Sequence, residues 1–130
     1  MRRPGKLRLM VLVTSNKAKQ LLCVSYIERV RLGDLERSRK DIEALIAELG
    51  PGFRLLTDLS RLESMDLDCA TELGNFMELF DRSGVSMVVR VIPDPKKDIG
   101  LNILALFHYR KRPQFISCEK MSQAAKHLSL

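Results

Sequence analysis

The sequence predicts a single, small, layered α/β domain spanning residues 1–130, and three observations carry that expectation. The chain has 130 residues, within the range of one domain and enough to enclose one continuous core. After residue 33, apolar strand-like runs alternate with segments of helical period, an order that requires helical crossovers and so a mostly parallel sheet. Before that point, two apolar runs are separated by a short polar turn and add an antiparallel edge.

The two opening runs extend from about Leu7 to Thr14 and from Gln20 to Val30, and the first residues of the domain, 1–6, are expected to be flexible. From Asp34 to Leu49 the period changes. Leu35, Ile42, Leu45, Ile46 and Leu49 share one helical face, Asp34 stands as the N-cap, and Gly50-Pro51-Gly52 stops the helix. The run from Phe53 to Leu59 is short, mostly apolar and bounded by turn formers, as an inner strand covered on both faces should be. A second helix is predicted from about Asp66 to Arg82, with Ala70, Leu73, Met77 and Phe80 as its buried stripe and Ser83-Gly84 as its terminator. The β-branched run Val85–Ile92 then reads as a central strand. Asp98 is placed as the cap of a third helix reaching Tyr109, followed by a short strand at 114–117 and a last helix at 119–128.

Composition narrows the function. A hydrophobic fraction of 45% with 29% charged residues excludes a disordered chain. No apolar run approaches the roughly eighteen residues of a membrane span. The basic, apolar start is short, lacks a small-residue cleavage pattern and runs straight into Thr14-Ser15-Asn16-Lys17, so it reads as a strand and not as a secretion signal. Cys23, Cys69 and Cys118 are odd in number and widely spaced, which fits reduced thiols in a cytoplasmic protein. The net charge of +6 raises nucleic acid as a partner. Against it, acids and bases alternate along Glu36–Asp41 as on a solvated helix face, and aromatic residues for base stacking are few.

The stretch Leu55-Leu56-Thr57-Asp58-Leu59-Ser60-Arg61-Leu62-Glu63-Ser64-Met65-Asp66, followed by a helix, a Ser-Gly break and a Val-rich strand, resembles the STAS domain of bacterial anti-sigma-factor antagonists. In that family an apolar strand ends in Asp-Leu-Ser or similar, and an Asp opens the helix that carries a regulatory serine. The likeness runs from about Val24 to Leu128. It implies a mixed, mostly parallel sheet of four to five strands with helices packed mainly on one side, a binding surface around the start of the second helix, and no catalysis. Kinase-switched members carry Asp-Ser-Ser-Gly at this turn, whereas this chain reads Asp66-Leu67-Asp68-Cys69. Leucine accepts no phosphoryl group, so the switch is absent at this position, and Ser64 is the hydroxyl that a shifted alignment would use.

The expected function is therefore that of a regulatory, non-catalytic module that binds another protein, such as a regulator of the anti-sigma or kinase type. Asp58, Ser60, Asp66, Leu67, Asp68, Cys69 and Arg90 are its candidate binding residues. No cofactor or metal is called for, and homodimerisation is left open. Asp66 and Asp68 read first as helix-capping carboxylates and second as an acidic lip on the binding surface. Arg90, inside an apolar strand, requires a carboxylate; Asp58 ranks first and Asp66 second, because counting from Phe53 and Val85 puts Asp58 and Arg90 on one face. Two alternatives stand beside this reading. One is a carrier of a small apolar or anionic ligand, marked by a cavity near Phe76, Phe80, Leu104 and Phe107. The other is a thiol enzyme using Cys69 in the first turn of the second helix. His108 and His127, far apart in sequence and without adjacent acids, do not read as catalytic bases, and the common nucleotide-binding, hydrolase and metalloprotease motifs do not occur.

Overall fold

The computed structural model describes residues 9–130; the stretch 1–6 and the start of the first predicted strand at Leu7 lie outside the described residues. A hairpin opens the fold: β1 (Val11–Asn16) pairs antiparallel with β2 (Leu21–Tyr26). The predicted second run does not continue to Val30 as one strand. Glu28 adopts a left-handed backbone with φ 55°, which breaks the extended run, and β3 (Glu28–Val30) leaves the main sheet. Its partner is a strand that the sequence reading missed, β5 (Leu62–Met65), and the two form a separate parallel ribbon.

Helix α1 (Leu32–Leu49) leads to β4 (Arg54–Asp58), α2 (Cys69–Arg82) to β6 (Met87–Val91), and α3 (Pro95–His108) to β7 (Gln114–Cys118), before α4 (Met121–His127) ends the fold. The five-stranded sheet has the order β1-β2-β4-β6-β7, and every pair after the hairpin is parallel. The predicted parallel pairing of the strands at 53–59 and 85–92 is present, with Arg54 level with Met87 and Leu56 level with Val89. The interior position of β6, between β4 and β7, explains its run of buried Val88, Val89 and Val91, because a strand covered on both faces has no solvent side.

Alternation along the strands sorts two cores. Leu22, Val24, Leu55 and Val88 face α1, α2 and α3, where Leu35, Ile42, Phe76, Phe80 and Tyr109 fill the larger core. Leu21, Leu56, Val89 and Val91 face the other way and are covered by Ala124 and Leu128 at α4. Three helices on one side and one short helix on the other thus divide the work of burial.

Helix starts differ from expectation in an informative way. Asp34 is not the N-cap of α1. It sits three residues inside, where its carboxylate accepts the backbone N–H of Arg31 at 2.8 Å and so still satisfies a helix-terminal donor. The cap of α3 is Asp94, which accepts the N–H of Lys96 at 3.0 Å, because Pro95 fixes the first helical residue and shifts the start upstream of Asp98. In α2, Ala70 is exposed and Cys69 takes the inward position that Ala70 was expected to hold. Gly84, at φ 89°, ends that helix as predicted; a side chain there would also press on Pro51.

Candidate functional site

The end of β4, strand β5 and the turn into α2 follow one another along the chain and make up the candidate rim. β4 closes at Asp58, whose Oδ1 accepts the backbone N–H of Ser60 at 3.0 Å, a local bond typical of aspartate at a strand-to-turn junction. Leu59 is buried and donates its N–H to the carbonyl of Val91 at 2.8 Å, so this turn is anchored to β6 while Ser60 stays exposed. On the adjoining ribbon, Asp66 donates its N–H to the carbonyl of Val30 at 3.1 Å and accepts from Arg29 at 3.3 Å through its carboxylate. The backbone then tightens, with Cys69 N–H donating to Asp66 at 3.0 Å and Ala70 N–H to Leu67 at 3.2 Å.

This geometry revises the capping role expected of the two acids. Helix α2 begins at Cys69, not at Asp66; Asp68 occupies the N-cap position without a side-chain capping bond, and the Asp66 carboxylate is taken by Arg29. Between them Leu67 is 95% exposed. A large aliphatic side chain held in solvent by a hydrogen-bonded turn, with one carboxylate on either side, is the most conspicuous chemical feature of this rim.

Arg90 does not belong to it. Thr57, not Asp58, stands level with Arg90, and Asp58 stands level with Val91. Counting from the apolar starts misjudged the register by one residue, and a one-residue slip reverses the face of every side chain. Arg90 therefore points into the larger core at 4% exposure, and Asp58 points to the opposite side. The carboxylate that Arg90 requires is Asp98 on α3, at 2.7 Å from Nη1; Asn102, one turn on, accepts from the same nitrogen at 2.8 Å. Ser117 on β7 donates to Asp98 at 3.2 Å. The cluster ties α3 to β6 and β7; the sequence marked Asp98 only as a helix cap and Asn102 not at all, since both lie in a helix whose partner strand was unknown.

Cys69 is fully buried, and its thiol donates a long bond of 3.7 Å to the carbonyl of Val30. Burial pushes its pKa up, and the Asp68 and Asp66 carboxylates push it further in the same direction. Burial also raises Cys23 and Cys118. A reactive thiol needs the opposite surroundings. Alkylation of Cys69 by iodoacetamide at pH 7.5 is accordingly expected to run at least about a hundredfold slower in the native protein than in urea, since it must await local opening. Peptide mapping reads the result, and equal rates would return the thiol to the list of nucleophiles.

The cavity expected between the second and third helices is nearly closed. Tyr26, Thr57, Phe76, Phe80, Arg90 and Tyr109 enclose about 30 Å³, room for a water molecule and not for an organic ligand. Phe107 lies outside it, with most of its surface in solvent. Both phenols are pushed well above their ordinary pKa by burial, with the Arg90 charge acting in the opposite direction, so the lining holds neutral hydroxyls. His108, without an acid next to it in sequence, acquires one from α2: its Nδ1 lies 3.2 Å from Glu78, and its ring fills the space over Gly74 where a side chain would otherwise stand. Among the described residues no helix is long and apolar enough to cross a membrane, and no group of three or more His, Cys, Asp or Glu side chains is arranged to hold a metal ion.

No family model and no curated protein sequence matches the chain. Solved structures do. A DUF3478 family protein with a SpoIIAA-like fold from Shewanella loihica PV-4 superposes with a TM-score of 0.70 at 14% identity, covering 91% of each chain. The anti-sigma factor antagonist SpoIIAA in its unphosphorylated form gives 0.62 at 14% identity over 92% of this chain and 97% of its own. An anti-sigma factor antagonist from Mycobacterium paratuberculosis gives 0.58 at 19% identity over 92% and 93%.

Proposed function

From the SpoIIAA-like fold that these structures share with the chain, we propose that the protein is a non-catalytic regulatory module that binds another protein of the anti-sigma or kinase type in the cytoplasm. Its docking surface is the rim of Asp58, Ser60, Asp66, Leu67 and Asp68, with Cys69 buried beneath as packing. The observation that carries this reading is the exposure of Leu67 at the start of α2. Two of the structural neighbours are, by name, anti-sigma factor antagonists, and one of these is known in unphosphorylated and phosphorylated forms. In the present chain an apolar side chain stands at the position to which the resemblance assigns the regulatory serine, so binding would rest on a constant apolar anchor between two acids and would not be switched by phosphorylation there. The nearly closed cavity and the buried Cys69 both weigh against the ligand-carrier and thiol-enzyme alternatives.

A photo-crosslinking residue placed at Leu67 is expected to trap a defined protein partner in cells, whereas the same residue at the exposed Glu48 of α1 traps none. With that partner purified, Leu67→Asp should weaken binding by at least about tenfold, as removal of an interface anchor does. Equal labelling from both positions, or unchanged affinity of the variant, would refute the assignment.

A further inference from the structure

Helix α3 is apolar on two sides. Its inner side lies on α2 and the sheet through Leu101, Leu104 and Ala105. Its outer side exposes Ile99, Ile103, Leu106 and Phe107, the last two at 81% and 75%, and at 3.6 residues per turn these four fall within about 100° of arc. A surface helix of a globular protein ordinarily turns polar residues outward, so a continuous apolar stripe in solvent marks a contact surface.

Charge indicates what the stripe meets. Lys96 is exposed in the first turn, and Arg110, Lys111 and Arg112 are exposed directly after the last. From Lys96 to Cys118 the sequence has five Lys and Arg and one carboxylate, Asp98, which is already bound to Arg90. Asp94, just before the helix, is occupied as its cap. The four side chains of the stripe carry no hydrogen-bonding group, and Asn102 beside it has its Oδ1 engaged by Arg90. A protein partner is normally held in register by directional hydrogen bonds, whereas a fluid anionic surface needs only apolar insertion and cations at its edge.

We propose that the outer face of α3 docks on membranes containing anionic lipids. The helix lies in the interfacial plane, with Ile99, Ile103, Leu106 and Phe107 at the acyl boundary and Lys96, Arg110, Lys111 and Arg112 among the headgroups. The Leu67 rim is formed by other elements, so this docking neither requires nor replaces protein binding there.

The test is cosedimentation of the full chain with vesicles of phosphatidylcholine alone or mixed with phosphatidylglycerol. Binding is expected to the mixed vesicles only and to fall by about tenfold or more when salt is raised, because the cations act through a screened field. Two variants separate the contributions: Leu106→Gln with Phe107→Gln removes the insertion, and Arg110→Gln, Lys111→Gln and Arg112→Gln together remove the charge. Each should abolish sedimentation with unchanged circular dichroism, whereas Lys40→Gln with Lys126→Gln, exposed on α1 and α4, should leave it intact. No binding to the mixed vesicles, equal binding to both kinds, or unaltered binding of the α3 variants overturns the proposal. So does a homodimer in sedimentation velocity that Leu106→Gln with Phe107→Gln disperses, since the stripe would then cover a second copy.

Discussion

Asp98→Ala is expected to destabilise the fold by about 3 to 5 kcal/mol, because it leaves the Arg90 guanidinium inside the core without its carboxylate. The Arg90 side chain is almost wholly buried and that of Asp98 is 17% exposed, which removes much of the solvent screening that makes surface ion pairs weak. Asn102 still accepts from the same nitrogen in the variant but brings no charge. A loss of that size is a large part of the roughly 5 to 15 kcal/mol that holds a domain together. It should lower the melting temperature by about 10 to 20 °C. Urea unfolding of Asp98→Ala, and of Arg90→Met combined with Asp98→Leu, separates broken pairing from lost packing. The double variant should lie within about 2 kcal/mol of the parent, since apolar groups of similar volume require no counter-charge. A cost below about 1 kcal/mol for Asp98→Ala would mean that water reaches Arg90 and that the cluster does not fasten α3 to the sheet.

Phe76→Ala is the second large effect, at about 3 to 5 kcal/mol. Phe76 is fully buried on α2, its ring 6.4 Å from that of Phe80 between centroids, and it lines the small cavity under α3. Truncation removes apolar contact and leaves a void, since the cavity's other walls come from the sheet, α2 and α3, and these cannot all close inward. The enlarged space should accept a small apolar molecule such as benzene, seen as a rise in melting temperature of the variant only. If the unaltered protein responded equally, the core would open readily, and the ligand-carrier reading would regain support.

Much of this architecture was legible because it rests on local periodicity. The helical stripe Leu35–Leu49, the Val-rich run at 85–92 and the glycines at 52 and 84 each encode their own geometry, and alternation after residue 33 leads to parallel pairing. The candidate rim of Asp58, Ser60 and residues 66–69 was proposed through a resemblance in the strand-turn-helix stretch, which is also local. Where elements start was harder, as Asp34 and Asp98 show: an aspartate near a helix start serves equally as a cap, as a third-position acceptor or as a partner for a distant arginine, and only the surrounding contacts choose among these roles.

By itself the sequence determined the order and kind of most elements and the need of Arg90 for a carboxylate. Tertiary structure alone decided which carboxylate answers Arg90, because strand register is set by pairing across the sheet, and one residue of offset sends Asp58 to one face and Arg90 to the other. It also decided the fate of the third helix. Its residues are apolar nearly all round, and periodicity cannot tell a helix buried on every side from one that keeps half of its apolar surface outside; with only α2 and the sheet to pack against, Leu106 and Phe107 remain in solvent.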